Sequence, residues 1–264
     1  MNNSLFAILL IILFKIINCE DIKIRIVTLN LWFGGIQAST QDKGLLKFAE
    51  HLAYLEPDII ALQEVLLGYE ADIIAKYLNQ IQNISSNKQQ WKAVERKCLY
   101  TDTAILSKLK FVDYLDDGCN IAGNGASFEL NGWRLNFFSV HLNTIDYGPE
   151  TIQDNPKIAY EEVFKKEKGR IGELEQIFSE KQFQNWLNAS QLTSEPWLDK
   201  HYGRSIEWPV TKLLAEAGVI DTFRALNNDP VEEPDKNLDI DQWPSDHAAM
   251  VADYIWEQEI DDYD

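Results

Sequence analysis

The stretch PDIIALQE, residues 57–64, constrains this chain more than any other. Proline lacks the amide hydrogen that a helix needs, so Pro57 ends whatever helix precedes it. The apolar run that follows reads as a short strand entering a core. Glu64 then sets a carboxylate against that strand, where an ionised group needs a cation or hydrogen-bond donors around it. Upstream, Leu45, Phe48, Ala49, Leu52 and Leu55 recur at helical spacing over residues 40–55. Residues 23–29 (KIRIVTL) alternate charged and apolar side chains and then turn continuously apolar, as a strand does on entering a core.

Similar alternation continues downstream. Ile73, Ile74, Tyr77, Leu78 and Ile81 give an amphipathic helix over 69–82. Short β-like runs follow at 91–96, 102–107, 119–129 and 133–141, the last two meeting at Asn131-Gly132, a strong hairpin signal. Helices are predicted near 166–179 and 206–217, and a final strand over 248–255. With no repeat, low-complexity tract or linker, the pattern predicts one domain of β-rich layers with flanking helices.

Charge narrows the function. Twenty-four Lys and Arg against 42 Asp and Glu give a net charge of −18. That argues against a protein that coats nucleic acid, since such binding rests on basic side chains displacing counterions from phosphates. It leaves open an enzyme that meets phosphates through a divalent cation, whose charge reverses the local field. A hydrophobic content of 45% is too high for disorder.

The apolar run at residues 5–14 is half the roughly 20 residues a membrane span needs. It predicts a signal peptide over 1–19, cleaved after Cys19, and hence a secreted protein with its domain at 20–256 and an acidic tail at 257–264. No later segment is long and apolar enough to span a membrane. Cys98 and Cys119 either bridge neighbouring strands or are separate buried thiols. Sequons at Asn83-Ile84-Ser85 and Asn188-Ala189-Ser190 predict a glycoprotein.

Polar residues gather where strands end: Asn30 in TLNLW, Glu64 after DIIALQ, His141 after NFFSV, and Asp246-His247 before AAMV. Each has a bland reading, as a turn residue, a solvated cap or a satisfied edge histidine. Asp246-His247 is also a reasonable general-base pair, the aspartate orienting the imidazole.

Their order along the chain resembles the endonuclease/exonuclease/phosphatase superfamily, the deoxyribonuclease-I-like fold, over about residues 22–256. The stretch HYGRSIEWPVTKLLAEAGVIDTFR is similar to a secreted branch of it. The resemblance implies an α+β, four-layer sandwich: two packed, mostly antiparallel sheets flanked by helices, with the site at one edge. It implies that Glu64 holds Mg²⁺ or Mn²⁺, with Asn30 beside that metal or on the phosphate. His141 would contact the scissile phosphate, and His247, oriented by Asp246, would activate water or stabilise charge. The implied reaction is hydrolysis of a phosphodiester or phosphomonoester, the substrate being a nucleic acid, a phospholipid headgroup or a small phosphate ester, with no stable partner protein. Trp32, Phe33 and Trp133 are candidate aromatics for a bilayer surface.

Two departures bear on activity. In FQNWLNAS, Asn188 matches the family's phosphate-contacting asparagine, but Trp186 stands where an aspartate belongs. Indole is a donor only, so it neither takes a proton nor binds a hard cation. A glycan on Asn188 would also block the pocket. Between Asp221 and Ser245 the chain is short, which predicts a sheet lacking a strand or two near 230–243. The expected activity is therefore impaired, the alternative being a catalytically silent phosphoester-binding relative. Expressed with its own N-terminus in a eukaryotic secretory host, the chain is expected in the medium beginning at Glu20, as N-terminal sequencing will read.

Overall fold

A computed structural model describes residues 22–38, 41–85, 89–94, 102–115, 122–143, 145, 148–155, 157–179, 199–201, 204–206, 209–216 and 249–256. The expected signal peptide, Cys98, Cys119, the 230–243 stretch and the acidic tail lie outside these residues.

Strands β1 (Ile22–Asn30) and β2 (Ile59–Gln63) run parallel, joined through helix α1 (Gln41–Leu55). Every other strand pair among the described residues is antiparallel. With β3 (Lys92–Ala93), β4 (Ala104–Ser107) and β10 (Met250–Trp256) they form a five-stranded sheet ordered β10–β1–β2–β4–β3. A second sheet, β5–β6–β7, contains β5 (Lys110–Tyr114), β6 (Gly123–Leu130) and β7 (Trp133–Val140). Helix α2 (Glu70–Ile81) follows β2, and α3 (Gly148–Asp154), α4 (Tyr160–Lys166) and α5 (Lys168–Ser179) follow β7. A small ribbon, β8 (Asp199–His201) with β9 (Arg204–Ile206), precedes α6 (Pro209–Glu216). No helix among the described residues is long and apolar enough to cross a membrane.

The period-2 geometry of strands sorts their side chains into separate cores. Val27, Leu29, Ile60, Leu62 and Leu106 face α1 and α2, packing on Leu45, Phe48, Leu52, Ile74 and Leu78. Their neighbours Ile24, Ile59 and Ile105 face the other way and meet Ala126 and Phe128 of the second sheet. That sheet's outer face carries Phe138 and Val140 against Leu174 and Ile177 of α5 and Leu213 and Leu214 of α6. The order is helices, sheet, sheet, helices, the four-layer α+β sandwich expected. Strand β2 is buried throughout, and apolar from Ile59 to Leu62, because both its faces are covered. Each such aliphatic side chain contributes about 1.5–3 kcal/mol on burial.

The hairpin expected at Asn131-Gly132 is present, while other elements depart from the periodicity reading. The β6–β7 hairpin turns at Asn131 and Gly132, whose φ values of 49° and 85° are those of a type I′ turn. Of the run at 91–96, residues 91–94 are described and Lys92–Ala93 are strand; Trp91 is held instead by the Asn79 side chain, which takes its amide and its carbonyl at 2.8 and 3.0 Å. Strand β5 was not expected: four of its five residues are exposed, so it shows no apolar alternation. Helices α3 and α4 were not expected either, and at seven residues each they hold too little of a 3.6-residue period to register.

Helix α1 comes unusually near the loop after β1. A Cβ on Gly44 would lie 2.2 Å from the carbonyl oxygen of Gly35, and backbone cannot yield as a side chain can. Gly44→Ala is therefore expected to destabilise the fold by about 1–3 kcal/mol, the usual cost of overpacking, as urea denaturation will read.

Candidate functional site

Parallel pairing brings the ends of β1 and β2 to one rim, with Asn30 opposite Gln63. The Leu31 amide donates to the Gln63 carbonyl at 2.9 Å. Beyond that point Trp32, Phe33, Gly34 and Gly35 all take positive φ, from 49° to 80°. Glu64, the residue after β2, does so too, at 57°. Left-handed backbone costs a non-glycine residue of order 1 kcal/mol or more, so the surroundings must enforce it.

They do so through hydrogen bonds. Asn30 Oδ1 accepts the Trp32 amide at 2.8 Å, and Asn30 Nδ2 donates to Glu64 Oε1 at 2.8 Å. The Phe33 amide donates to Glu64 Oε2 at 2.5 Å. Each carboxylate oxygen thus has one donor and keeps a lone pair. Behind the turn stands buried Glu70, whose Oε1 accepts the Leu67 amide at 2.8 Å. A Cβ on Gly34 would come within 2.9 Å of that same oxygen, which is why a glycine sits there.

The second sheet supplies His141, just past β7. Its amide donates to the Ala122 carbonyl at 2.7 Å, and its Nδ1 lies 2.7 Å from Asp102 Oδ2. The Asp102 carbonyl accepts the Val65 amide, so the residue after Glu64 is tied to the partner of His141. The Asp102 hydrogen bond raises the imidazole above its ordinary pKa; burial opposes this, while the charges of Asp102, Glu64 and Glu173 reinforce it. With Nδ1 committed to Asp102, Nε2 is the nitrogen left for a ligand.

A buried polar seam fastens the two sheets beneath this rim. Ser139 Oγ donates to the Leu62 carbonyl at 3.0 Å, and Gln63 Nε2 donates to Thr28 Oγ1 at 3.0 Å and to Ser139 Oγ at 3.4 Å. Helix α5 is fastened to the same rim by Glu173, which accepts the Asn143 amide at 2.7 Å.

Asn30, Glu64 and His141, 111 residues apart at the extremes, therefore share one edge of the sandwich. Asn188, Trp186, Asp246 and His247 lie outside the described residues. Asn30 engages the turn and Glu64 with its two amide ends, and so orients the carboxylate. Asp102 was not singled out from the sequence. The signal was present, for Asp102-Thr103 abuts the apolar run AIL just as Glu64 abuts IIAL.

Among the described residues no three His, Cys, Asp or Glu side chains form a metal cage. The donor chemistry nonetheless fits a hard divalent ion, since Mg²⁺ takes one or two carboxylates and otherwise keeps its waters. Glu64 offers two aimed, half-satisfied oxygens.

No family model matches the chain. An uncharacterised Caenorhabditis elegans protein, F14F9.5, is 28% identical over 233 residues, covering 80% of this chain and 68% of its own length. The human Nocturnin catalytic domain superposes with a TM-score of 0.52 at 14% identity, over 88% of this chain and 93% of that one. Staphylococcus aureus beta toxin is more distant, with a TM-score of 0.39, 11% identity and 60% of each chain covered. At 14% identity the likeness to the Nocturnin domain shows a shared fold alone.

The His141–Asp102 pair predicts a pH dependence of stability. A histidine whose folded pKa exceeds its unfolded value near 6.5 stabilises fully below that value and loses the contribution as pH rises through the folded pKa. In chelator, the free energy of unfolding should fall across that window in the wild type, and Asp102→Asn should flatten the fall, as urea titrations at a series of pH values will read.

Proposed function

From its deoxyribonuclease-I-like fold, we propose that the chain is a secreted, divalent-cation-dependent phosphohydrolase of the endonuclease/exonuclease/phosphatase kind. The observation that carries this reading is the Glu64 carboxylate, aimed by Asn30 and the Phe33 amide on the same rim as the His141–Asp102 pair. Nocturnin's catalytic domain holds a sulfate anion, a tetrahedral oxyanion shaped like phosphate.

Glu64 would hold Mg²⁺ or Mn²⁺ with waters completing the shell, and the ion would supply the positive charge that an acidic chain otherwise lacks. His141, kept protonated to higher pH by Asp102, would donate from Nε2 to a non-bridging phosphate oxygen and offset charge that grows as water attacks. In that attack water's oxygen bonds to phosphorus, the ester P–O bond breaks, and the leaving oxygen takes up a proton. By the family resemblance, Asp246 and His247 would manage the water's proton and Asn188 would contact the phosphate.

Trp186 favours a second reading, a phosphoester-binding relative without turnover. A missing water-activating carboxylate commonly costs on the order of 10²–10⁴ in rate. With Mg²⁺ and bis(p-nitrophenyl) phosphate, slow turnover is expected, lost in chelator and lowered at least about 100-fold by Glu64→Ala or His141→Ala. Turnover indifferent to both changes would overturn the site. Glu64-dependent Mg²⁺ binding without turnover would select the second reading.

A further inference from the structure

Loops at the end of a sandwich meet water and are ordinarily polar, yet three described segments beside this site carry large apolar side chains to the outside. The loop after β1 exposes Phe33 and Ile36, by 53% and 51%. The loop after β2 exposes Leu66, Leu67 and Tyr69, by 44%, 58% and 41%, and the segment after His141 exposes Ile145 by 82%. Single exposed apolar residues need no explanation; six on adjoining loops around one site do.

The backbone that carries several of them is fixed by hydrogen bonds. Phe33 gives its amide to Glu64, Leu67 gives its amide to buried Glu70, and Ile145 gives its amide to Asn143 Oδ1 at 2.8 Å. Leu66 lies beside the same turn, its Cγ 3.6 Å from the position of a Cβ on Gly34. Phe33, Leu66 and Leu67 thus belong to the turn that grips Glu64.

Charge identifies the occupant. The described loop residues 31–38, 64–70 and 141–143 with Ile145 contain no Lys or Arg. A nucleic-acid strand would require basic side chains beside the site to displace its counterions. An anionic membrane would repel a chain of net charge −18. An electrically neutral lipid surface accepts apolar side chains without asking for countercharge.

We propose that this rim seats the protein on zwitterionic phospholipid, so that the phosphoester reaching Glu64 and His141 belongs to a lipid headgroup. The substrate half of the statement rests on the phosphohydrolase reading; the docking half stands without it. Trp133 has no part in this: although 63% exposed, it starts β7 at the end opposite His141.

The test is flotation of the full chain with phosphatidylcholine vesicles, and with vesicles enriched in phosphatidylserine, beside Ile36→Glu/Leu67→Glu/Ile145→Glu and Glu64→Ala. Wild type and Glu64→Ala should float with phosphatidylcholine, the triple variant at least about tenfold less, a loss of 1.4 kcal/mol or more. Phosphatidylserine should weaken flotation. The triple variant should keep the wild-type circular dichroism and its turnover of soluble phosphodiester. Wild type that stays off phosphatidylcholine, or a triple variant that floats equally well, overturns the proposal. So does a dimer, seen by light scattering, that the triple variant dissolves while no vesicle is bound. Soluble turnover without flotation sinks the docking alone; flotation without any turnover sinks the hydrolase reading alone.

Discussion

The carboxylate of Glu64 is where most of this molecule's constraints meet. It follows a strand buried on both faces, so it cannot move without disturbing β2, and both its oxygens are met by donors from the end of β1. A charged group at such a position would be costly if unsatisfied. The donors arrive only because the backbone after Asn30 turns left-handed for four residues running, an arrangement that the Glu70 strut and the close approach of α1 help to maintain. Strain, burial and hydrogen bonding thus converge on one side chain.

The two sheets are joined twice near this point. Apolar contacts between Ile59, Ile105 and Phe128 supply the bulk of the adhesion, without direction. The polar seam of Ser139, Gln63 and Leu62 adds direction, fixing the end of β7 against the end of β2. His141 lies two residues beyond Ser139, so the seam that aligns the sheets also aligns the imidazole with Glu64. Asp102 completes the coupling by holding His141 with its side chain and Val65 with its carbonyl.

Much of this was readable beforehand where physical demands repeat along the chain. The run IIAL had to be a doubly covered strand, helical spacing marked α1 and α2, and Asn131-Gly132 could do little but turn a hairpin. Elements without repetition escaped: β5 lies exposed at an edge, and α3 and α4 complete barely two turns. Asn30, Glu64 and His141 were singled out because each stands where a strand ends. Asp102 stands two residues before β4, and although it abuts an apolar run its partner lies 39 residues away in the chain, a pairing that the local pattern does not name. Of the rim, Phe33 was singled out from the sequence, whereas Ile36, Leu66, Leu67, Tyr69 and Ile145 were hidden, since apolar residues beside a strand look like core until the solvent side is known.

Strand β1 also has a history imposed by its partner. Its outer edge is completed only by β10, with Ile22 opposite Trp256, so more than 200 residues must leave the ribosome before that edge is paired. In the interval β1 offers open amides and carbonyls to any extended chain nearby. Lys23 and Arg25 guard it, charges that make unwanted strand pairing unfavourable, and Arg25 then grips Asp253 with a two-pronged bond once β10 arrives. The basic residues that interrupt the apolar alternation of the first strand serve the nascent polypeptide before they serve the finished one.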